Sequence, residues 1–144
     1  MKSTAIIDLM VRDHAKIVGL INKVEKAIHE NHTEKMQVFH EMEWMLEKHL
    51  FTEEKAMFTF YDPEFVTEGY KMLPQLIQEH NDITNRLVVM KKNLRNNTAV
   101  DFQGLKSLLL RHKQFEEEQV YPRLDQELSE EQKHIIMNRM KELV

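Results

Sequence analysis

The stretch His49-Leu-Phe-Thr-Glu53-Glu-Lys-Ala-Met57-Phe58 returns further along the chain as His112-Lys-Gln-Phe-Glu116-Glu-Glu-Gln-Val120-Tyr121. Both copies read His-x-x-x-Glu-Glu-x-x and then two apolar residues. Residues four apart on a helix point the same way. Each copy therefore aims one imidazole and one carboxylate at one patch of space. Imidazole and carboxylate together make a site for a borderline transition metal such as iron, manganese or zinc.

Around these stretches the apolar residues step by three and four, which is the period of a helix packed along one seam. The first seam is Ile7, Met10, His14, Ile17, Ile21, Val24 and Ile28. The second is Phe39, Met42, Leu46, His49, Glu53, Ala56 and Phe60, and Asp62-Pro63 stops it. Residues 63–69 read as a connection of at most one helical turn, closed by Gly69. The third seam is Leu73, Leu76, His80, Ile83, Leu87, Met90 and Leu94, with Pro74 expected in the first turn. Asn96-Asn97 marks a turn and Thr98 a cap. The fourth seam is Phe102, Leu105, Leu109, His112, Glu116 and Gln119, ending near Pro122. A capping box at Ser129 and Gln132 opens a short tail helix with Ile136, Met140 and Leu143 on its apolar face. The fold class expected is all-α: one domain over residues 1–144, an antiparallel up-down-up-down four-helix bundle with a short C-terminal helix.

Composition agrees and narrows the chemistry. The 144 residues are 42% apolar and 31% charged, with three Gly and three Pro, so long helices are natural. Cysteine is absent, which excludes disulfides, thiolate nucleophiles, iron–sulfur clusters and Cys-based zinc sites. Net charge is −4 without a basic block, which argues against nucleic acid as a partner. No apolar run reaches the length of a membrane span, and Asp8, Arg12 and Asp13 break any signal-peptide pattern. The expected location is cytoplasmic.

The seams are apolar except at their middles, where His14, His49, Glu53, His80, His112 and Glu116 stand. In an antiparallel pair, two residues share a height when their sequence midpoint falls in the connecting turn. His14 and His49 have theirs between Asn31 and His32, His80 and His112 on Asn96, and His49 and His80 between Glu64 and Phe65. All four imidazoles are thus expected in one layer. Ionised carboxylates in an apolar layer cost several kcal/mol each and repel one another. Two divalent metals would remove both penalties. One is assigned to His14 and His49 and the other to His80 and His112, with Glu53 and Glu116 bridging. A single His on an apolar face is more often a hydrogen-bonded core residue, but that reading does not account for six such groups at one level.

At these residues the chain resembles the hemerythrin-like, or HHE cation-binding, family. The likeness runs from His14 to Tyr121-Pro122: a His on helix one, His-x-x-x-Glu on helix two, a His on helix three, and His-x-x-x-Glu-Glu with an aromatic and Pro on helix four. It implies a non-haem di-iron centre, two Fe ions bridged by carboxylates, with the same six residues as ligands and Mn or Zn as substitutes. It implies a protein that binds oxygen or a related small diatomic for storage, sensing or iron and redox homeostasis. The alternatives are a di-iron enzyme reducing peroxide or nitric oxide, and an iron-responsive regulatory module. Oxygen-carrying members have a second His four residues from the first on helix three, where this chain has Leu76 and Thr84, and His-x-x-x-x-Asp on helix four. The missing imidazole leaves the second metal more open, which weighs against simple oxygen carriage.

Other residues have plainer expected roles. His29, His32, His40 and His134 lie off the seams and face solvent, His29 and His32 offering at most a weak metal contact. Met10, Met42 and Met90 are core filler. Trp44 is expected under the tail helix, and Glu43 is expected exposed. Glu54 and Glu117-Glu118 are either a solvated face or acceptors for the ligand imidazoles. Glu47 is a weaker ligand candidate, and the spacing leaves Tyr61, Tyr70 and Tyr121 unassigned.

Overall fold

The computed structural model describes residues 5–31, 33–60 and 68–143. Four long helical segments form the bundle: α1 (Ala5–His29), α2 (Lys35–Thr52), α3 (Glu68–Arg95) and α4 (Phe102–Phe115). α2 runs on through a π-turn (Glu53–Met57) and a 3₁₀ turn (Phe58–Phe60). α4 runs on through a second π-turn (Glu116–Val120) into α5 (Tyr121–Glu127), and α6 (Glu130–Leu143) is the tail.

Cross-helix pairs fix the directions. As the number rises from His14 to Lys23 on α1, its partner falls from His49 to Glu41 on α2. Glu43 and Glu54 meet Lys91 and His80 on α3, and His80's neighbour Glu79 meets His112 while Arg86 meets Asp101. Glu116 meets His14, and Lys106 meets Glu25, which returns the chain to α1. Every neighbouring pair is antiparallel.

The seams bury as their period requires, and the buried side chains fall into two apolar clusters. One holds Ile17, Ile21, Phe39, Leu46, Ile83, Leu87 and Leu105 toward the α1–α2 and α3–α4 turns. The other holds Ile6, Met10, Leu76, Tyr121, Leu124, Ile136 and Met140 at the opposite end, under α6. Asn31 and Asn97 take left-handed backbone (φ 50 and 55), as a turn asparagine can, and so reverse the chain. Ser129 and Gln132 close their capping box at 2.9 and 3.1 Å.

Several local expectations fail for physical reasons. α4 is capped by Asp101, whose carboxylate accepts from the Gly104 N–H at 3.1 Å. Thr98 instead returns its hydroxyl and N–H to the Asn93 carbonyl and finishes α3. Gly104 lies so close under Arg86 and Asp101 that a Cβ would meet them at 2.7 and 2.8 Å. α3 begins at Glu68, so Gly69 lies inside it rather than closing a loop, and Pro74 sits beyond the first turn at the loss of one backbone hydrogen bond. Ile6 takes the core position expected of Ile7, which is only partly buried. Gln119 is exposed and Val120 buried, because the π-turn holds an extra residue and shifts the register. Trp44 is 60% exposed with Lys48 over its ring, so it does not pack under α6. Glu43 is largely covered and paired with Lys91 at 2.9 Å. His32 and Tyr61, with most of the 63–69 connection, lie outside the described residues.

Candidate metal centre

Between the two apolar clusters lies a single polar layer. His14, His49, His80 and His112 are 2–6% exposed, and Glu53 and Glu116 are fully buried. All six expected side chains converge there. The donor atoms of Glu53, His80, His112 and Glu116 lie within 4.8 Å of one another, as do those of His14, His49 and Glu116. Glu116 belongs to both groups. Glu53 Oε1 falls with the second pair of imidazoles yet is also 3.0 Å from His49 Nε2.

The repeat in the sequence becomes a repeat in geometry. Both carboxylates begin a π-turn, and each one's N–H is shared between two carbonyls: His49 and Leu50 for Glu53, His112 and Lys113 for Glu116. Such turns are frequent at functional sites. Here the wider turn follows the carboxylate on each of two parallel helices.

A second ring of carboxylates surrounds the layer. Asp13 on α1 accepts from His49 Nδ1 on α2 at 2.5 Å. Glu54, beyond α2, accepts from His80 Nδ1 on α3 at 2.9 Å. Glu79 on α3 accepts from His112 Nδ1 on α4 at 2.6 Å. Glu117, beyond α4, stands 3.6 Å from His14 Nδ1 on α1. Each acid thus reaches the imidazole of the next helix, and the circuit closes. An Nδ1–H held outward leaves the Nε2 lone pair directed inward, the tautomer a metal ligand needs. Glu54 therefore acts as an acceptor toward an imidazole, while Glu117 stands beside His14 beyond hydrogen-bond distance. Asp13 and Glu79 went unrecognised in the sequence, although each directly precedes a seam histidine.

Charge in the layer is unevenly held. For His49, burial favours the neutral ring, but Glu53 and Asp13 outweigh it and raise the pKa to about 9. His14 is pushed down to about 4 by burial and by the neighbouring His49. Burial also works against an ionised Glu53, yet His49 and the other imidazoles hold it well below the usual carboxylate range. For His112, burial is again outweighed by Glu53 and Glu79, and its pKa is raised. Tyr121, fully buried, brings its hydroxyl to 3.4 Å from His14 Nε2 and 3.5 Å from Glu53 Oε2. Burial and the Glu53 charge keep it a neutral phenol.

Even so, the layer is not satisfied by its own members. Glu53 Oε1, Glu116 Oε2, His14 Nδ1, His80 Nε2 and His112 Nε2 are buried without a hydrogen-bond partner among the described residues. A buried polar atom left this way costs about 1–3 kcal/mol, and more if charged. Four of the five are on inward-facing atoms of one layer. A cation fits this donor set: neutral imidazole and carboxylate, buried, preoriented from behind and short of partners.

The other candidates are excluded by position. Glu47, His29, His40 and His134 are exposed, and Tyr70 packs in the apolar cluster below the layer. Leu76 is fully buried in that cluster and Thr84 is exposed, so neither side of His80 on α3 supplies another ligand.

Among curated proteins and among solved structures no match was found. The hemerythrin HHE cation-binding domain family matches residues 5–140, nearly the full length of the chain. On that match, with an all-helical bundle and a buried cluster of histidines and glutamates that could hold metal ions, the chain belongs to the hemerythrin HHE cation-binding domain family.

Proposed function

We propose that the buried layer holds two iron ions and that the protein binds oxygen or a related small diatomic for storage, sensing or iron and redox homeostasis. His14 and His49 would hold one ion and His80 and His112 the other, with Glu53 and Glu116 supplying the carboxylates between them. The observation that carries this reading is the set of buried, partnerless donor atoms in a layer of six side chains. Bound there, iron would supply a redox-active centre with positions left open to a small ligand.

The chain's own residues set the conditions around that centre. Asp13, Glu54 and Glu79 fix three imidazoles by their Nδ1 atoms, and Glu117 flanks the fourth. The two apolar clusters keep water from the layer above and below. Tyr121 offers a phenol hydrogen at the Glu53 side of the layer. Leu76 and Thr84, four residues to either side of His80, supply no further imidazole and leave that side of the layer less crowded with ligands.

A cavity of about 310 Å³ reaches His14, His49 and His112 from the groove between α1 and α4. Its volume exceeds what a diatomic needs, since a water molecule in the liquid occupies about 30 Å³. The room for a second small molecule supports, as a second reading, an enzyme that reduces peroxide or nitric oxide, since reducing nitric oxide to nitrous oxide consumes two molecules at once. Ferrous protein exposed to oxygen separates the two. A visible band that vanishes under vacuum, with ferrous iron regained, supports binding. Rapid irreversible oxidation with turnover of added peroxide or nitric oxide supports the enzyme. Protein that takes up no iron overturns both.

A further inference from the structure

The cavity between α1 and α4 has a sided chemistry that a diatomic does not require. Its floor is aliphatic, formed by Ile17, Ile21, Leu46 and Leu109, and ends on the imidazoles of His14, His49 and His112. Its rim holds Val18 and Leu110, which are 43% and 55% exposed, and Lys106 and Lys113 also line it. No carboxylate lines it. Lys106 is tied across the groove to Glu25 at 2.5 Å. Lys113, one turn further toward the metal layer than Leu109, makes no ion pair among the described residues. A space that is greasy within and cationic at its edge is complementary to an amphiphile carrying one negative charge.

We propose that this groove is a binding site for a free medium-chain monocarboxylate, with its alkyl chain on the aliphatic floor and its carboxylate at the rim beside Lys113. From His14 to Asn22 the groove follows α1 for about 12 Å, at 1.5 Å per residue, so it suits a chain and not a compact ion. Lys113 directly follows His112, so the carboxylate end would lie beside the layer read above as a di-iron centre and the chain would run along the floor toward Asn22. The inference rests on that reading for its inner end, while the binding itself needs only the groove.

The test is calorimetric titration of the iron-loaded protein and of the metal-free protein with acetate, hexanoate, octanoate and decanoate, and with octanol as the uncharged counterpart. The expected result is binding that tightens roughly threefold to fourfold per added methylene until the groove is full. Acetate should show no binding to the metal-free form. Lys113→Met should weaken octanoate at least fivefold and leave octanol unchanged. Val18→Trp, a change at an exposed rim position, should block both while iron content stays that of the unaltered protein. Affinity that ignores chain length, or that neither variant changes, overturns the proposal. So does binding confined to the metal-loaded form and shared by acetate, since the carboxylate would then be a simple metal ligand. Acids that bind in the groove of a protein that takes up no iron would refute the di-iron reading and keep this one. An iron-loaded protein indifferent to every acid would do the reverse.

Discussion

Asp13→Asn isolates the ring of carboxylates behind the histidines. Asp13 Oδ2 accepts from His49 Nδ1 at 2.5 Å and is one reason the His49 pKa rises to about 9. Asparagine keeps the shape and removes the charge. A hydrogen bond to a charged group contributes about 1.5–3 kcal/mol, and the Asp13 side chain is 28% exposed, so solvent screens part of it. A loss of about 1–2 kcal/mol in metal binding follows, or roughly 5- to 30-fold in affinity, overlapping the lower part of the roughly 10- to 100-fold range for residues that orient a ligand imidazole. Competition against a chelator of known affinity, on both proteins at one pH, reads this directly. A second readout is the pH dependence of metal uptake. With a less basic His49, the variant should load at lower pH, because fewer bound protons oppose the metal. Glu118→Gln, at an exposed position on the same turn as Glu117, serves as the control. An Asp13→Asn protein that is folded and binds metal within a factor of two of the original would refute the orienting role.

Stripped of metal, the protein should be most stable near pH 6.5. Above that, the unfolded chain has released the His49 proton that the folded chain keeps up to about pH 9, so stability falls as pH rises. Below it, the unfolded chain protonates His14 while the folded chain resists down to about pH 4, so stability falls as pH drops. Each slope approaches about 1.4 kcal/mol per pH unit, and denaturant midpoints that are flat from pH 5 to 8.5 would contradict it. Phe39→Ala, at a fully buried position away from the polar layer, should cost about 3–5 kcal/mol in chemical unfolding while metal stoichiometry is kept. Ser129→Ala removes the hydroxyl that accepts from the Gln132 N–H at 3.1 Å, and should cost about 1 kcal/mol. Faster hydrogen exchange confined to α6 would report it, and exchange that rises equally in α2 would count against a local cap.

The four-helix frame was legible because seams of period three and four leave little freedom once each helix must bury one face. The polar layer was legible for the same reason, since His14, His49, Glu53, His80, His112 and Glu116 fall on positions where the period demands apolar residues. Sequence was silent where geometry departs from the ideal helix. The π-turn that begins at Glu116 exchanges Gln119 for Val120 in the core and brings Tyr121 into the layer. Asp13 and Glu79 were missed because each serves a histidine on another helix, a relation that spacing within one helix does not express. Trp44 was misjudged because apolar character alone does not say which face a partner covers. Pro74 and Thr98 show that local punctuation sets the position of helix ends only loosely: α3 tolerates a proline past its first turn, and Asp101 wins the cap from Thr98.

The central claim is that two cations belong among the six buried side chains. Anaerobic loading with ferrous iron, removal of loose metal and elemental analysis per chain tests it most directly, with His112→Ala alongside. Two irons per chain are expected in the unaltered protein and a loss of half or more in the variant, since Glu116 is shared between both donor groups. A folded protein that stays empty after loading, or a variant that holds as much iron as the original, would contradict it.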